Sequence, residues 1–125
     1  MEILRLLQNA EDFEIFSAGQ TIFLRGEPGT VMYIIKQGEV ELYFRKIRFA
    51  TLGPEGIFGE MALLDNELRS LTAIAKTECQ LVPIDQARFS FFVQQKPLFA
   101  LQIMQVMADR LRSMNEVVGD SQNLT

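Results

Sequence analysis

The sequence predicts a mainly β domain of sandwich or barrel type, closed at its C-terminal end by helices. Three observations carry this. Short β-rich runs recur at roughly 8–12-residue spacing through residues 13–84, with Gly- and Pro-containing turns between them. One run, Glu39-Val40-Glu41-Leu42-Tyr43-Phe44, alternates so that Val40, Leu42 and Phe44 share a face. Over residues 85–118 the apolar period lengthens to that of a helix.

Taken in order, residues 1–9 read as a short amphipathic helix. Ser17-Ala18-Gly19-Gln20 is a turn before the strand Thr21-Ile22-Phe23-Leu24. In Arg25-Gly26-Glu27-Pro28-Gly29, Pro before Gly suits a type II turn with positive φ at Gly29. Val31 to Ile35 is a strand, Lys36-Gln37-Gly38 a turn, and the alternating run follows. Phe49-Ala50-Thr51-Leu52 runs into the turn Gly53-Pro54-Glu55-Gly56, and Thr72–Ala75 and Gln80–Ile84 are two further strands. Asp85 can cap a helix from Gln86 to about Gln95, and Pro97 fits the start of a second. On that helix Met104, Met107, Leu111, Met114 and Val118 step by 3, 4, 3, 4, a heptad seam for a second chain or a stripe packed on the barrel. Gly119 is expected to stop the helix, leaving residues 120–125 as a tail.

Composition narrows the function. The 125 residues amount to one domain and can bury roughly two-thirds of their unfolded surface without disulfide or metal. With 12 basic against 16 acidic residues the net charge is −4, against the basic face that nucleic acids and anionic membranes require. The chain has no His, which excludes Ser-His and Cys-His catalysis, His-ligated zinc and haem. Its single Cys, Cys79, lies in an apolar run and reads as a buried structural thiol, in keeping with a reducing cytoplasm. There is neither an apolar run long enough to span a bilayer nor a signal-peptide pattern at the start. No nucleophile–base pair and no metal-ligand set is visible, so an enzyme is not expected.

The strand pattern is interrupted once, at Ile57-Phe58-Gly59-Glu60-Met61-Ala62-Leu63-Leu64-Asp65-Asn66-Glu67-Leu68-Arg69-Ser70-Leu71. Gly59 allows a sharp turn and a close backbone approach. Met61 to Leu64 can form one helical turn whose unpaired N–H groups suit an anion. Glu60 offers a carboxylate to sugar hydroxyls, and Arg69, nine residues on, offers a planar fork for two phosphate oxygens. Ser70 adds a hydroxyl. Together they read as a pocket for a sugar carrying one anionic phosphodiester, and the bland reading of Glu60 and Arg69 is an ion pair bracing a loop.

This stretch resembles the phosphate-binding cassette of cyclic-nucleotide-binding domains: Phe-Gly-Glu, then apolar-Ala-Leu, a short loop, and Arg followed by a small residue. Gly26-Glu27-Pro28-Gly29, Gly38 and Leu52-Gly53-Pro54-Glu55-Gly56 also fit the family. Pro97, Met107-Ala108-Asp109-Arg110-Leu111 and Asn115-Glu116-Val117-Val118-Gly119 are similar to the long helix of the bacterial catabolite activator family. The resemblance covers residues 13–118. Leu68 stands where the family often has Pro, the hairpin at Arg45-Lys46-Ile47-Arg48 is short, and Met114 and Asn115 replace hydroxyls facing the base.

The resemblance implies a jelly-roll β-roll, a double-stranded β-helix, with a short N-terminal helix and two C-terminal helices, and a regulatory sensor of cAMP ahead of cGMP that uses no metal. It implies that Glu60 binds the ribose 2′-hydroxyl, and that Arg69 with backbone groups of Gly59, Ala62 and Ser70 holds the cyclic phosphate. Leu42, Phe49 and Ala50 would line the base side, with Met61 and Leu71 beside the cassette. Arg110 either reaches the ligand or is a solvated helix charge. A homodimer through residues 100–118 is expected. The rival readings are a roll that binds no nucleotide and serves as an interaction module, and the sensor half of a transcription factor. Arg45, Lys46 and Arg48 read as a solvated hairpin tip.

Overall fold

The computed structural model describes residues 12–65 and 68–123. The expected helix at residues 1–9 lies outside them. Eight strands form two four-stranded antiparallel sheets. In chain order they are β1 (Glu14–Phe16), β2 (Thr21–Phe23), β3 (Met32–Gln37), β4 (Val40–Phe44), β5 (Ile47–Leu52), β6 (Ile57–Phe58), β7 (Thr72–Ala75) and β8 (Cys79–Ile84). One sheet runs β1-β8-β3-β6 and the other β2-β7-β4-β5. The helices are α1 (Glu60–Asp65), α2 (Gln86–Gln95) and α3 (Leu98–Asn123). This is the expected mainly β roll with two C-terminal helices.

The apolar patterns follow from which faces are covered. Strand β4 has one wet face: Val40 and Leu42 are buried between the sheets, while Glu41 and Tyr43 lie on the other side and are only half-buried. Strands β3 and β8 are covered on both faces and therefore read as continuous apolar runs. Tyr33, Ile35, Cys79 and Leu81 enter the core between the sheets. Met32, Ile34, Val82 and Ile84 face the other way and pack with Phe92, Phe99 and Ile103 of the helices. Truncating a fully buried ring such as Phe58 to Ala typically costs about 3–5 kcal/mol. Cys79 is fully buried and burial pushes its thiol upward, as expected of an inert structural cysteine.

Helix α2 begins where expected: the Asp85 side chain accepts from the Arg88 N–H at 2.8 Å, a cap worth about 1 kcal/mol. Phe92 meets Phe99 edge-on at 5.7 Å between centroids, which fixes α3 against α2. Two expectations are corrected, the end of α3 and the left-handed residue of the 25–29 turn, and two short strands are added. Helix α3 runs through Gly119 to Asn123 and is not stopped there. The short strands β1 and β6 add to those expected from the sequence. β6 is formed by pairing with β3 (Tyr33 with Phe58, Ile34 with Ile57), not by local propensity. In the 25–29 turn the left-handed residue is Gly26, at φ 92°, and not Gly29. In the Gly53–Gly56 turn it is Glu55, at φ 73°.

Candidate functional site

Arg69 is positioned by its backbone before its side chain does anything. The Gly26 N–H donates to the Arg69 carbonyl at 2.8 Å, the Arg69 N–H donates to the Glu27 carbonyl at 2.8 Å, and Pro28 bridges Leu68. The β2–β3 loop is thus a strap that docks the cassette as an extra pairing segment. This explains Gly29: its φ is ordinary, but a Cβ there would overlap Nε and Cζ of Arg69 and lie 2.6 Å from Nη2. Gly29 is needed for space and not for a turn.

The guanidinium lies over the Phe23 ring, with Cζ 4.1 Å from the centroid, and Nη1 donates to the Gly59 carbonyl at 3.2 Å. Gly59 holds φ 78°, and a Cβ there would be 2.8 Å from Nη1. Arg69 is 6% exposed, and its buried Nε has no partner. Burial lowers its pKa, opposed by Tyr33 and by the carboxylates of Glu27 and Glu60. A guanidinium so held stays a cation at neutral pH.

Glu60 opens α1 and is 4% exposed. Its ion-pair partner is Arg110, with Nη1 to Oε1 at 3.5 Å; no such pair with Arg69 occurs among the described residues. The bracing-pair reading of Glu60 and Arg69 is therefore corrected. Arg110 also donates through Nη2 to the Ile57 carbonyl at 2.6 Å. Burial lowers its pKa, while Glu60 and Asp109 favour the charge. The solvated-charge reading of Arg110 is overturned: this side chain ties α3 to the junction of β6 and α1.

These groups border one cavity of about 260 Å³, near the lower end of the range for small-molecule sites. Gly59, Glu60, Arg69, Ser70 and Arg110 gather at its polar part, and Leu42, Phe49, Leu71, Met107 and Met114 form apolar wall. Met61 borders it as well. Among the expected lining residues Ala50 is the exception. The ladder slips between Leu42 and Tyr43, leaving Phe49 as an extra residue. Phe49 and Ala50 both pack on the core, but only Phe49 reaches the cavity. Ala62 lies in α1, with its side chain outside the described residues.

The α3 stripe divides between its two readings. Met107 and Met114 turn toward the roll and line the cavity, whereas Met104 and Leu111 are 60% and 63% exposed. The Val118 side chain lies outside the described residues. The outward-facing apolar residues are Leu101, Met104 and Leu111, each more than half exposed, and Leu111 also borders the cavity. Sequence reasoning missed Phe23, Gly29 and Phe58 as site residues. None of the three carried a local signal: in sequence Gly29 reads as a turn glycine, and its close approach to Arg69 exists only in the fold.

The cyclic nucleotide-binding domain profile matches residues 13–96. The chain is 32% identical over 110 residues to the CRP-like cAMP-activated global transcriptional regulator of Mycobacterium tuberculosis, covering 84% of this chain and 49% of that one. It is 36% identical over 84 residues to the cAMP-dependent protein kinase regulatory subunit of Eremothecium gossypii, covering 67% of this chain and 18% of that one. The structure of the Thermus thermophilus catabolite activator protein superposes with a TM-score of 0.80 at 27% identity, over 97% of this chain and 59% of that one. The chain spans about half the length of the bacterial regulator it matches. Among the described residues no helix is long and apolar enough to cross a membrane. With the cassette, its strap and its β-roll in place, this chain belongs to the cyclic nucleotide-binding domain family.

Proposed function

We propose that the cavity takes up a cyclic purine mononucleotide, cAMP ahead of cGMP, and that occupancy biases the seating of α3. The observation that carries this is the buried, strapped guanidinium of Arg69 with an unpartnered Nε. Leaving a buried donor unsatisfied costs about 1–3 kcal/mol, and a phosphodiester oxygen supplies both the acceptor and the counter-charge. Glu60 accepts from the ribose 2′-hydroxyl while Arg110 holds its other side. Backbone groups of Gly59, Ala62 and Ser70 complete the phosphate cradle.

The base rests on Leu42, Phe49, Met107 and Met114. That wall offers no hydrogen-bond partner to the carbonyl and amino groups of guanine, so stripping guanine of water costs more than stripping adenine. The module binds its ligand and does not transform it. Two copies pair through the outward face of α3, where Leu101, Met104 and Leu111 are each more than half exposed. The names of the relatives, a cAMP-activated regulator and a cAMP-dependent kinase subunit, support the ligand class.

Calorimetric titration with cAMP, cGMP and AMP tests the reading. Arg69→Ala removes the counter-charge of a desolvated phosphate, a loss of about 2–5 kcal/mol, or roughly 30- to several-thousand-fold in Kd. AMP, doubly charged beside Glu60, should bind more weakly than cAMP. A folded Arg69→Ala variant that binds cAMP within about threefold of wild type would sink the proposal.

A further inference from the structure

The β4–β5 hairpin has a feature the nucleotide site does not use. Arg25, leaving β2, and Arg45, in the hairpin turn, both stand against the ring of Phe44, with Cζ 5.2 Å and 5.3 Å from its centroid. Lys46 and Arg48 flank them, so four of the chain's 12 basic residues meet at one end of one sheet. Arg48 is paired with Glu41 at 3.4 Å. Arg25, Arg45 and Lys46 have no carboxylate partner among the described residues. The strap carboxylate nearest in sequence, Glu27, is turned onto the Leu24 N–H at 2.5 Å.

Two facts set this cluster apart from a solvated tip. Each guanidinium is held against an aromatic face, which fixes its fork and leaves the N–H edge for an outside acceptor. Arg45 also holds φ 57°, a left-handed conformation that costs a side-chain-bearing residue roughly 1–2 kcal/mol and that Gly would adopt without strain. The exposed Ile47, at 44%, adds an apolar contact beside the cations.

We propose that Arg25, Arg45 and Lys46 around Phe44 form a docking surface for a carboxylate-rich segment of a partner protein. Guanidinium forks match carboxylates bidentately. The narrowness of the occupant follows from the rest of the chain, which is acidic: even with the patch included the whole chain carries a net charge of −4. A wide anionic plane such as a bilayer, or a duplex, also meets the net acidic remainder of the chain. An extended acidic segment meets the patch alone, within a Debye length of about 8 Å.

The test uses the full chain, a fluorophore-labelled oligoglutamate peptide read by anisotropy, and vesicles rich in phosphatidylserine. The peptide should bind, and its affinity should fall several-fold between about 50 mM and about 200 mM salt. Arg25→Gln with Arg45→Gln should weaken it by about tenfold or more. Arg45→Gly removes one cation and the backbone strain together. It should weaken binding by about threefold while the unfolding temperature holds or rises. The proposal falls if the wild type shows no salt-sensitive peptide binding, or if these variants bind like wild type. It falls equally if the vesicles are bound and the peptide is not, which would make the patch a membrane contact.

Discussion

Gly29→Ala isolates the role of the strap. Gly29 has no left-handed φ, so Ala fits the backbone, and by restricting the unfolded chain the change alone would stabilise by about 0.4–1 kcal/mol. The new Cβ would nevertheless overlap Nε and Cζ of Arg69 and reach 2.6 Å from Nη2. The guanidinium must leave its seat over Phe23 and its bond to the Gly59 carbonyl. It then presents its fork out of register to the phosphate and loses at least one charge-assisted bond, about 1.5–3 kcal/mol. The expected result is a Kd for cAMP raised by about 10- to 150-fold, with the unfolding temperature changed by only a few degrees. Calorimetric titration and thermal unfolding on one preparation measure both. A Gly29→Ala protein that binds cAMP within about twofold of wild type would show that the strap does not set the guanidinium.

Three further outcomes are expected. Arg110→Met strands the buried Glu60 carboxylate and the Ile57 carbonyl, which should cost about 3 kcal/mol in urea unfolding; adding Glu60→Gln should recover part of it, and simple additivity would refute the coupling. Met104→Asp places a charge on the outward stripe of α3, and light scattering should report monomers where wild type gives dimers, with the fold intact because Met104 is 60% exposed. Burial, aided by Glu14 and opposed by Arg69, raises the Tyr33 phenol above 10.0. The unfolded chain therefore ionises first, and the contribution of Tyr33 is full below about pH 10 and is lost as pH rises through the folded value. Tyr33→Phe should flatten the alkaline fall of the urea midpoint; an unchanged slope would assign that fall to other groups.

What was legible in the sequence depended on whether the determining contacts are local. The β4 alternation and the Asp85 cap are written within a few residues of where they act, and each stands in the structure as expected; the spacing from Gly59 to Arg69 is equally legible, but what seats its side chains is distant. The extent of β6 depends on β3, more than twenty residues earlier, and no propensity at Ile57-Phe58 encodes it. At residues 25–29 Pro-Gly chemistry favours a positive φ at Gly29, while a guanidinium some forty residues later requires the absence of a Cβ there. Arg110 is set by a distant contact in the same way. Alone on a helix, a cation is best solvated, and only the acid at Glu60, fifty residues away, turns it inward.

The heptad on α3 makes the point about mechanism. A stripe stepping by 3 and 4 predicts one surface, but the structure divides it. Met107 and Met114, with Arg110, face the cavity, while Leu101, Met104 and Leu111 are exposed. Leu111 belongs to both sets, bordering the cavity mouth while 63% exposed. A rigid helix cannot shift one face without shifting the other. If a base entering between Phe49 and Met114 moves α3 by a fraction of a turn, the outward stripe turns with it. Arg110 is the tether that motion must respect, since its bonds to Glu60 and Ile57 fix the helix at one level along its axis. On the proposed reading a ribose at Glu60 shares the carboxylate with that tether, so ligand occupancy and helix position act on the same two oxygens. By reciprocity, whatever pairs with the outward face must change nucleotide affinity by the factor that nucleotide changes pairing. Measuring cAMP affinity in the Met104→Asp monomer beside the wild type reads that coupling directly. Equal affinities in the two would mean the faces of α3 are independent.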